Sequence, residues 1–454
     1  MIPARRFYLL LLLGIPVTAI LALIFNVAIG LVIILVYDLL LLVVAFADGW
    51  GVKKHKIEIQ RQPLGRLSIG RDNPVILSIG SRDRSARILI RDYYPVQFAV
   101  SQPTLTATLP ANTTQELTYT INPDLRGEFD WGNIQVRQLG KLGLAWHDWQ
   151  VTAKEKVAVY PDLIGLRSLS IRLALENTGT MRQARRLGQG TEFTELREYG
   201  TGDDTRLIDW KATARRSRPL VRVLEPEKEQ TLLILLDRGR LMTAKVEGLK
   251  RFDWGLNATL SLALAGLTRG DRVGVGVFDR HLTTWIPPER TLQQLSKLID
   301  YLTPIQPVLL EPDYFGAVTR LVTQQTRRAL VVLITDIIDV TASTELLAAL
   351  MRLTPRYLPF CVTLRDPLID KIAHNPQNLR KTEAEKDLTS AKPATTRESI
   401  TAYRRAIALD ILTQRQVAFA KLKQKGVLVL DAPASQISEQ LVDRYLQLKA
   451  RNLL

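Results

Sequence analysis

The chain has 454 residues, too many for one hydrophobic core, and its 61 Lys and Arg against 45 Asp and Glu give a net charge of +16. That balance calls for an acidic partner such as an anionic membrane leaflet, and the single cysteine, Cys361, excludes an internal disulfide framework. Nucleic acid is set aside, because no zinc-ligand spacing, aromatic RNA-binding signature or long basic tract occurs.

From 7 to 47 the only ionisable side chains are Tyr8, Tyr37 and Asp38. A bilayer crossing takes about 20 apolar helical residues, so residues 1–50 are predicted to form a transmembrane helical hairpin of two spans turning near Phe25-Asn26. Arg5 and Arg6 before it, and Lys53, Lys54 and Lys56 after it, place both ends in the cytoplasm under the positive-inside tendency. The expectation is a multi-pass inner-membrane protein with its bulk cytoplasmic. Ala45-Phe46-Ala47 resembles a signal-peptidase site, but the apolar run far exceeds the roughly 7 to 15 residues of a cleavable one. Asp38 falls within the second span with no basic partner in the first, which suits a protonated or oligomer-contact carboxyl better than a proton path.

Residues 51–165 change to short alternating runs, among them Val75-Ile76-Leu77-Ser78-Ile79 and Glu116-Leu117-Thr118-Tyr119-Thr120-Ile121, with turn residues at even intervals. This pattern predicts a β-sandwich of immunoglobulin-like type. Trp131, Trp146 and Trp149 read as core or rim residues, and Gly127, Gly132, Gly140 and Gly143 as turn formers.

Residues 166–228 form a signature linker segment. In it Glu192, Glu195, Arg197 and Glu198 alternate with Phe193, Leu196 and Tyr199, and Gly200-Thr201-Gly202 breaks the run. Asp204 or Thr205 is placed to cap a helix over 206–216, whose Leu207, Ile208, Trp210 and Ala214 need covering by another domain. Asp203, Asp204 and Asp209 stand among Arg197, Arg206, Lys211 and Arg215, so low pKa values and ion pairing are expected rather than proton transfer.

The string Arg197-Glu198-Tyr199-Gly200-x-Gly202-Asp203-Asp204-x-Arg206-x-Ile208-Asp209-Trp210-Lys211-x-x-Ala214-Arg215 resembles the signature of the domain of unknown function fifty-eight family. The resemblance implies a bacterial or archaeal, membrane-anchored protein with a von Willebrand factor A-like domain. It also implies a protein partner, because such proteins are linked with MoxR-type AAA+ ATPases.

Residues 229–454 read as that α/β domain. Thr231 to Asp237 and Ala329 to Asp336 are continuous apolar runs ending in an acid, as buried parallel strands would be. With the runs at 272–278, 357–364 and 427–430 alternating with helices, a doubly wound sheet is predicted, with ligands beyond the carboxyl ends of its strands. A polar stretch at 366–397 reads as a mobile edge excursion. From 399 to 425 Ile400, Tyr403, Ile407, Ile411, Val417 and Leu422 suggest a core helix.

By the resemblance, the crevice of a von Willebrand A domain holds a divalent cation through an Asp-x-Ser-x-Ser run. Here that run is Asp237-Arg238-Gly239-Arg240-Leu241, without either hydroxyl. Asp237 and Asp336 are the remaining candidate ligands; no metal or other cofactor is expected, and Asp237, Asp336 and Asp339 are expected to pair with Arg238 and Arg240. No phosphate loop, nucleophile elbow or metal-binding His pair occurs among the four histidines. The expected function is therefore a non-enzymatic adaptor or scaffold, binding its partner through Arg197, Tyr199, Asp203, Asp204, Arg206, Asp209, Trp210, Lys211 and Arg215. The alternatives are a divalent-cation-dependent ligand-binding or adhesion module, and a cell-envelope hydrolase.

Overall fold

The structure, a computed structural model, describes all residues except 25–26, 83, 188–191, 226–229, 338–341, 375–393 and 452–454. Side chains are described outside these and outside 21–27, 176–194, 224–229, 338–343 and 375–401. The chain divides into two compact units, Met1–Tyr160 and Pro161–Leu454.

In the first unit Arg5–Ile24 (α1) and Val27–Val52 (α2) are helices packed on each other, with the Tyr37 hydroxyl donating to the Leu10 carbonyl at 2.8 Å. Among the described residues one helix, over Ala28–His55, is long and apolar enough to cross a membrane. The expected turn at Phe25-Asn26 lies outside them. Near the end of α2 the buried Asp48 accepts the backbone N–H of Leu142 at 2.8 Å and that of Leu144 at 3.0 Å. Gly140 lies so close to this carboxylate that a Cβ has no room.

The strands of this unit are Ile2–Pro3 (β1), Glu58–Arg61 (β2), Leu67–Ser68 (β3), Asn73–Gly80 (β4), Ala86–Asp92 (β5), Ala99–Val100 (β6), Leu105–Leu109 (β7), Thr114–Asn122 (β8), Gly127–Trp131 (β9), Ile134–Leu139 (β10), Ala145–Val151 (β11) and Glu155–Tyr160 (β12). They form sheets in the orders β1-β11-β10-β5-β7, β2-β4-β8-β6 and β3-β12-β9, antiparallel except for β3 with β12. Alternation decides which face is inward: Val75, Leu77 and Ile79 of β4 and Ile88 and Ile90 of β5 are buried while their neighbours face out. Trp131 is buried as expected and donates to Asp92, which also takes the Tyr119 hydroxyl and pairs with the buried Arg61 at 3.3 Å.

The second unit begins with Leu163–Leu187 (α3) and a hairpin of Glu192–Glu198 (β13) and Leu220–Glu225 (β14), with Trp210–Arg216 (α4) between its strands. Its main sheet comprises Thr231–Asp237 (β15), Arg272–Phe278 (β18), Leu282–Glu289 (β19), Leu330–Thr335 (β20), Leu358–Arg365 (β21) and Leu428–Pro433 (β22); Lys245–Val246 (β16) and Leu249–Lys250 (β17) form a small separate ribbon. The order is β19-β18-β15-β20-β21-β22, parallel except for the edge strand β19. The helices are Arg251–Thr268 (α5), Gln293–Leu302 (α6), Tyr314–Gln324 (α7), Ala342–Met351 (α8), Pro367–His374 (α9), Ala394–Gln424 (α10) and Ile437–Ala450 (α11).

Every residue of β15 is buried, which explains an apolar run without alternation. Leu233 and Leu235 pack with Val318, Leu321, Leu350 and Phe419 from α7, α8 and α10, while Leu232 and Leu236 meet α5 at Gly266 and Gly255. Helices therefore cover both faces, and the strand order reverses at β15. In such sheets the carboxyl end at the reversal is where ligands gather, and Asp237 stands there.

Two helix expectations need correction. The helix expected over 206–216 starts at Trp210: Asp204 caps only a short 3-10 turn at Thr205–Leu207, and Asp209 is the cap of α4. Leu207 and Ile208 therefore lie off the helix, Ile208 bridging Val221, and Trp210 and Ala214 face solvent rather than a covering domain. In α10 Tyr403, Ile407 and Val417 are exposed, and the buried stripe is Ala408, Arg415, Ala418, Phe419 and Leu422. Of the expected edge excursion, 367–374 is helical and 375–393 lies outside the described residues.

Candidate functional site

At the carboxyl edge of the sheet, Asp237 is fully buried. One carboxylate oxygen accepts the Gly239 N–H at 2.7 Å and the other the Thr335 hydroxyl at 2.7 Å and the Tyr314 hydroxyl at 3.3 Å. Burial pushes its pKa up to about 6, against the lowering pull of these donors. Asp336, at the next strand end, holds two guanidiniums: Nη1 of Arg415 at 2.6 Å and Nη1 of Arg251 at 3.0 Å. Arg415 continues to Asp431 on β22 at 2.8 Å and to the Ile337 carbonyl at 2.6 Å, while Asp431 also accepts the Thr363 hydroxyl at 3.0 Å.

The expected pairing of Asp237 and Asp336 with Arg238 and Arg240 is overturned. Arg238 pairs with Asp279 at 2.6 Å and Arg240 with Glu311 at 2.7 Å. Both arginines lie in the loop beyond β15, where their heads reach partially open surface, whereas Asp237 is sealed beneath it. Asp339 lies outside the described residues. Burial opposes ionisation of Asp279, but Arg238 and the backbone N–H of His281 outweigh it and hold the carboxyl below its usual range.

Among the described residues this edge does not fit a divalent cation. Mg²⁺ and Ca²⁺ require several free oxygen ligands, and here those of Asp336 and Asp431 are held by guanidiniums. Among the described residues no group of three or more His, Cys, Asp or Glu is arranged to hold a metal. Arg251, Asp279, Tyr314, Thr335, Arg415 and Asp431 are the participants that the sequence did not reveal. Arg415 alone left a trace, as a cation seven residues from Ala408 and four from Phe419 on the buried stripe of a helix.

The signature residues form a different structure. Arg197 on β13 reaches Asp203 at 2.6 Å, whose other oxygen accepts the Gly200 N–H at 2.8 Å, closing the turn in which Gly202 takes φ +105°. Asp209 accepts the Ala212 N–H at 3.0 Å and Nε of Arg222 on β14 at 2.8 Å. The Thr213 hydroxyl accepts the Leu220 N–H at 3.0 Å, and the Tyr199 N–H donates to the Pro219 carbonyl at 3.0 Å. The Arg197 hydrogen bond, then the Gly200 N–H, hold Asp203 below the usual carboxylate range; the Ala212 N–H, then Arg222, do so for Asp209. Tyr199 is half-buried, and Asp204, Arg206, Trp210, Lys211 and Arg215 are exposed.

The hairpin and most of the sheet therefore form one continuous stretch of chain with the signature at its start. Residues 195–408 match the family described as protein of unknown function DUF58. This DUF58 region includes β15 through β21 and the first half of α10. The uncharacterized protein Mb1516 of Mycobacterium bovis is 25% identical over 151 residues, 33% of this chain and 48% of the relative, and Rv1480 of Mycobacterium tuberculosis gives the same figures. The chain thus spans about half the length of the curated relatives it matches. Among solved structures, the conserved hypothetical protein BatB from Bacteroides thetaiotaomicron aligns with 49% of this chain and 99% of its own at 12% identity and a TM-score of 0.30. A PapD-like domain of human CEP192 aligns with 23% of this chain and 84% of its own at 13% identity and a TM-score of 0.18.

Proposed function

We propose that the chain is a membrane-tethered, non-enzymatic adaptor. In this reading α1 and α2 are two membrane spans with both ends cytoplasmic, residues 51–165 form an immunoglobulin-like sandwich, and the sheet built on β15 is a von Willebrand factor A-like domain. The signature hairpin docks a protein partner, a MoxR-type AAA+ ATPase or its client.

The observation that carries the reading is the state of the carboxyl edge. In a doubly wound sheet that edge is where chemistry is done, and here its acids are closed in buried bonds to Arg251, Arg415, Thr335 and Tyr314. Among the described residues, Asp237 and Asp336 offer neither an open metal position nor a general base with access to solvent. The DUF58 signature instead supports a surface of ordered charge. The test is cross-linking with mass spectrometry in the native membrane. An ATPase or its client cross-linked to residues 195–222 is the expected result; turnover of an envelope polymer that disappears with Asp203→Asn or Asp209→Asn overturns the proposal.

A further inference from the structure

The charged side chains of the hairpin divide into two sets. Asp203, Asp209 and Glu198 each hold an arginine, respectively Arg197, Arg222 and Arg218. Among the described residues Arg206, Lys211, Arg215 and Arg216 are exposed and have no carboxylate partner. Beside them, at the head of α4, Trp210 is 70% exposed.

This exposure is not that of a loose end. The N-terminus of α4 is capped by Asp209, its middle is tied to β14 through Thr213, and it stops at Ser217 in the left-handed region at φ +53°. An indole held in water on a fixed helix leaves a large apolar surface uncovered, and Trp and Arg are the side chains in which protein interfaces concentrate binding energy. Arg guanidinium matches a carboxylate in bidentate geometry, and Lys211 and Arg215, four residues apart, share one side of the helix.

We infer that α4 is a docking ridge for an acidic protein segment, in which an apolar side chain lies on Trp210 and flanking carboxylates pair with Arg206, Lys211 and Arg215. This rests on the adaptor reading and specifies the chemistry that the partner presents. The same cations attract a bilayer or a nucleic acid, but the exposed Glu195 and Asp204 stand in the same short stretch of chain. A continuous polyanion meets repulsion at those positions, whereas separate carboxylates on a peptide fit between them.

The test places photoreactive p-benzoylphenylalanine at Ala214, exposed on α4, in the full chain in its native membrane, with a second probe at Leu196 on β13. The expected adduct at 214 maps to a net-negative peptide segment. Its yield falls about tenfold with Lys211→Glu and Arg215→Glu together, as rim charges turn repulsive, and survives Lys211→Arg. Lipid or nucleic-acid adducts, adducts on neutral or basic segments, or a yield indifferent to the charge reversal overturn the inference. A protein adduct at 196 with none at 214 overturns it and leaves the adaptor reading standing; no protein adduct at either position overturns both. Thermal melts of each variant accompany the cross-linking, and unchanged melting shows that a lost adduct reflects docking and not folding.

Discussion

Nη1 of Arg415 on α10 lies 2.6 Å from a carboxylate oxygen of Asp336 at the end of β20, with both side chains almost fully buried. The pair joins residues far apart in the chain and fastens α10 over the carboxyl edge. Removing one partner of a buried pair leaves an uncompensated charge, which typically costs about 3 to 5 kcal/mol. Arg251 still accompanies Asp336 in such a variant, so Arg415→Met is expected at the lower end, about 3 kcal/mol, in urea unfolding of the detergent-solubilised chain. Adding Asp336→Asn is expected to recover part of the loss.

Asp237 makes stability depend on pH in an identifiable direction. Its folded-state pKa of about 6 exceeds the roughly 3.9 of a free carboxyl, so the folded chain keeps a proton that the unfolded chain releases. Its contribution is full below about pH 3.9 and is lost as pH rises through about 6. The loss amounts to roughly 2 to 3 kcal/mol at pH 7. Asp237→Asn should remove this slope and be the more stable form at neutral pH. Parallel curves of urea midpoint against pH for the two proteins would count against the assignment.

Charge reversals in the signature should separate by role. Arg197→Glu breaks the bond to Asp203 and the turn it closes, so limited proteolysis should cut faster between 198 and 206. Arg215→Glu removes a side chain without a carboxylate partner and should leave the cleavage pattern unchanged. Equal sensitivity of both variants would show that Arg215 has a structural role as well.

Magnesium should leave the protein as it is. A site with a dissociation constant of 1 mM would raise stability by about 1.4 kcal/mol at 10 mM cation. Because guanidiniums hold Asp336 and Asp431, the melting temperature is expected to be the same in 10 mM Mg²⁺ and in EDTA; a clear rise in Mg²⁺ would reopen the metal reading.

The sequence revealed those elements whose environment is uniform along their length. β15 and β20 are buried on both faces, so their apolar runs were unbroken, and α5 was long enough for its helical character to be plain. The partners of the charges were hidden, because ion pairing is decided by the fold and not by proximity in the chain. Arg238 and Arg240 closely follow Asp237 in sequence but turn to Asp279 and Glu311, while Asp336 finds Arg415 across 79 residues. The pairing of β13 with β14 was hidden in the same way, since α4 stands between the two strands in the chain. In α10 Tyr403, Ile407 and Val417 suggested an inner face they do not line, and of the expected set Leu422 is buried, beside Ala408, Arg415, Ala418 and Phe419.

The two bonds from Asp48 to the backbone of Leu142 and Leu144 fasten the end of α2 to the loop joining β10 to β11. One carboxylate thus grips two N–H groups of that loop's backbone, and Gly140 leaves it room to do so. The direction in which α2 ends and the position of the β10–β11 loop are thereby tied at a single side chain.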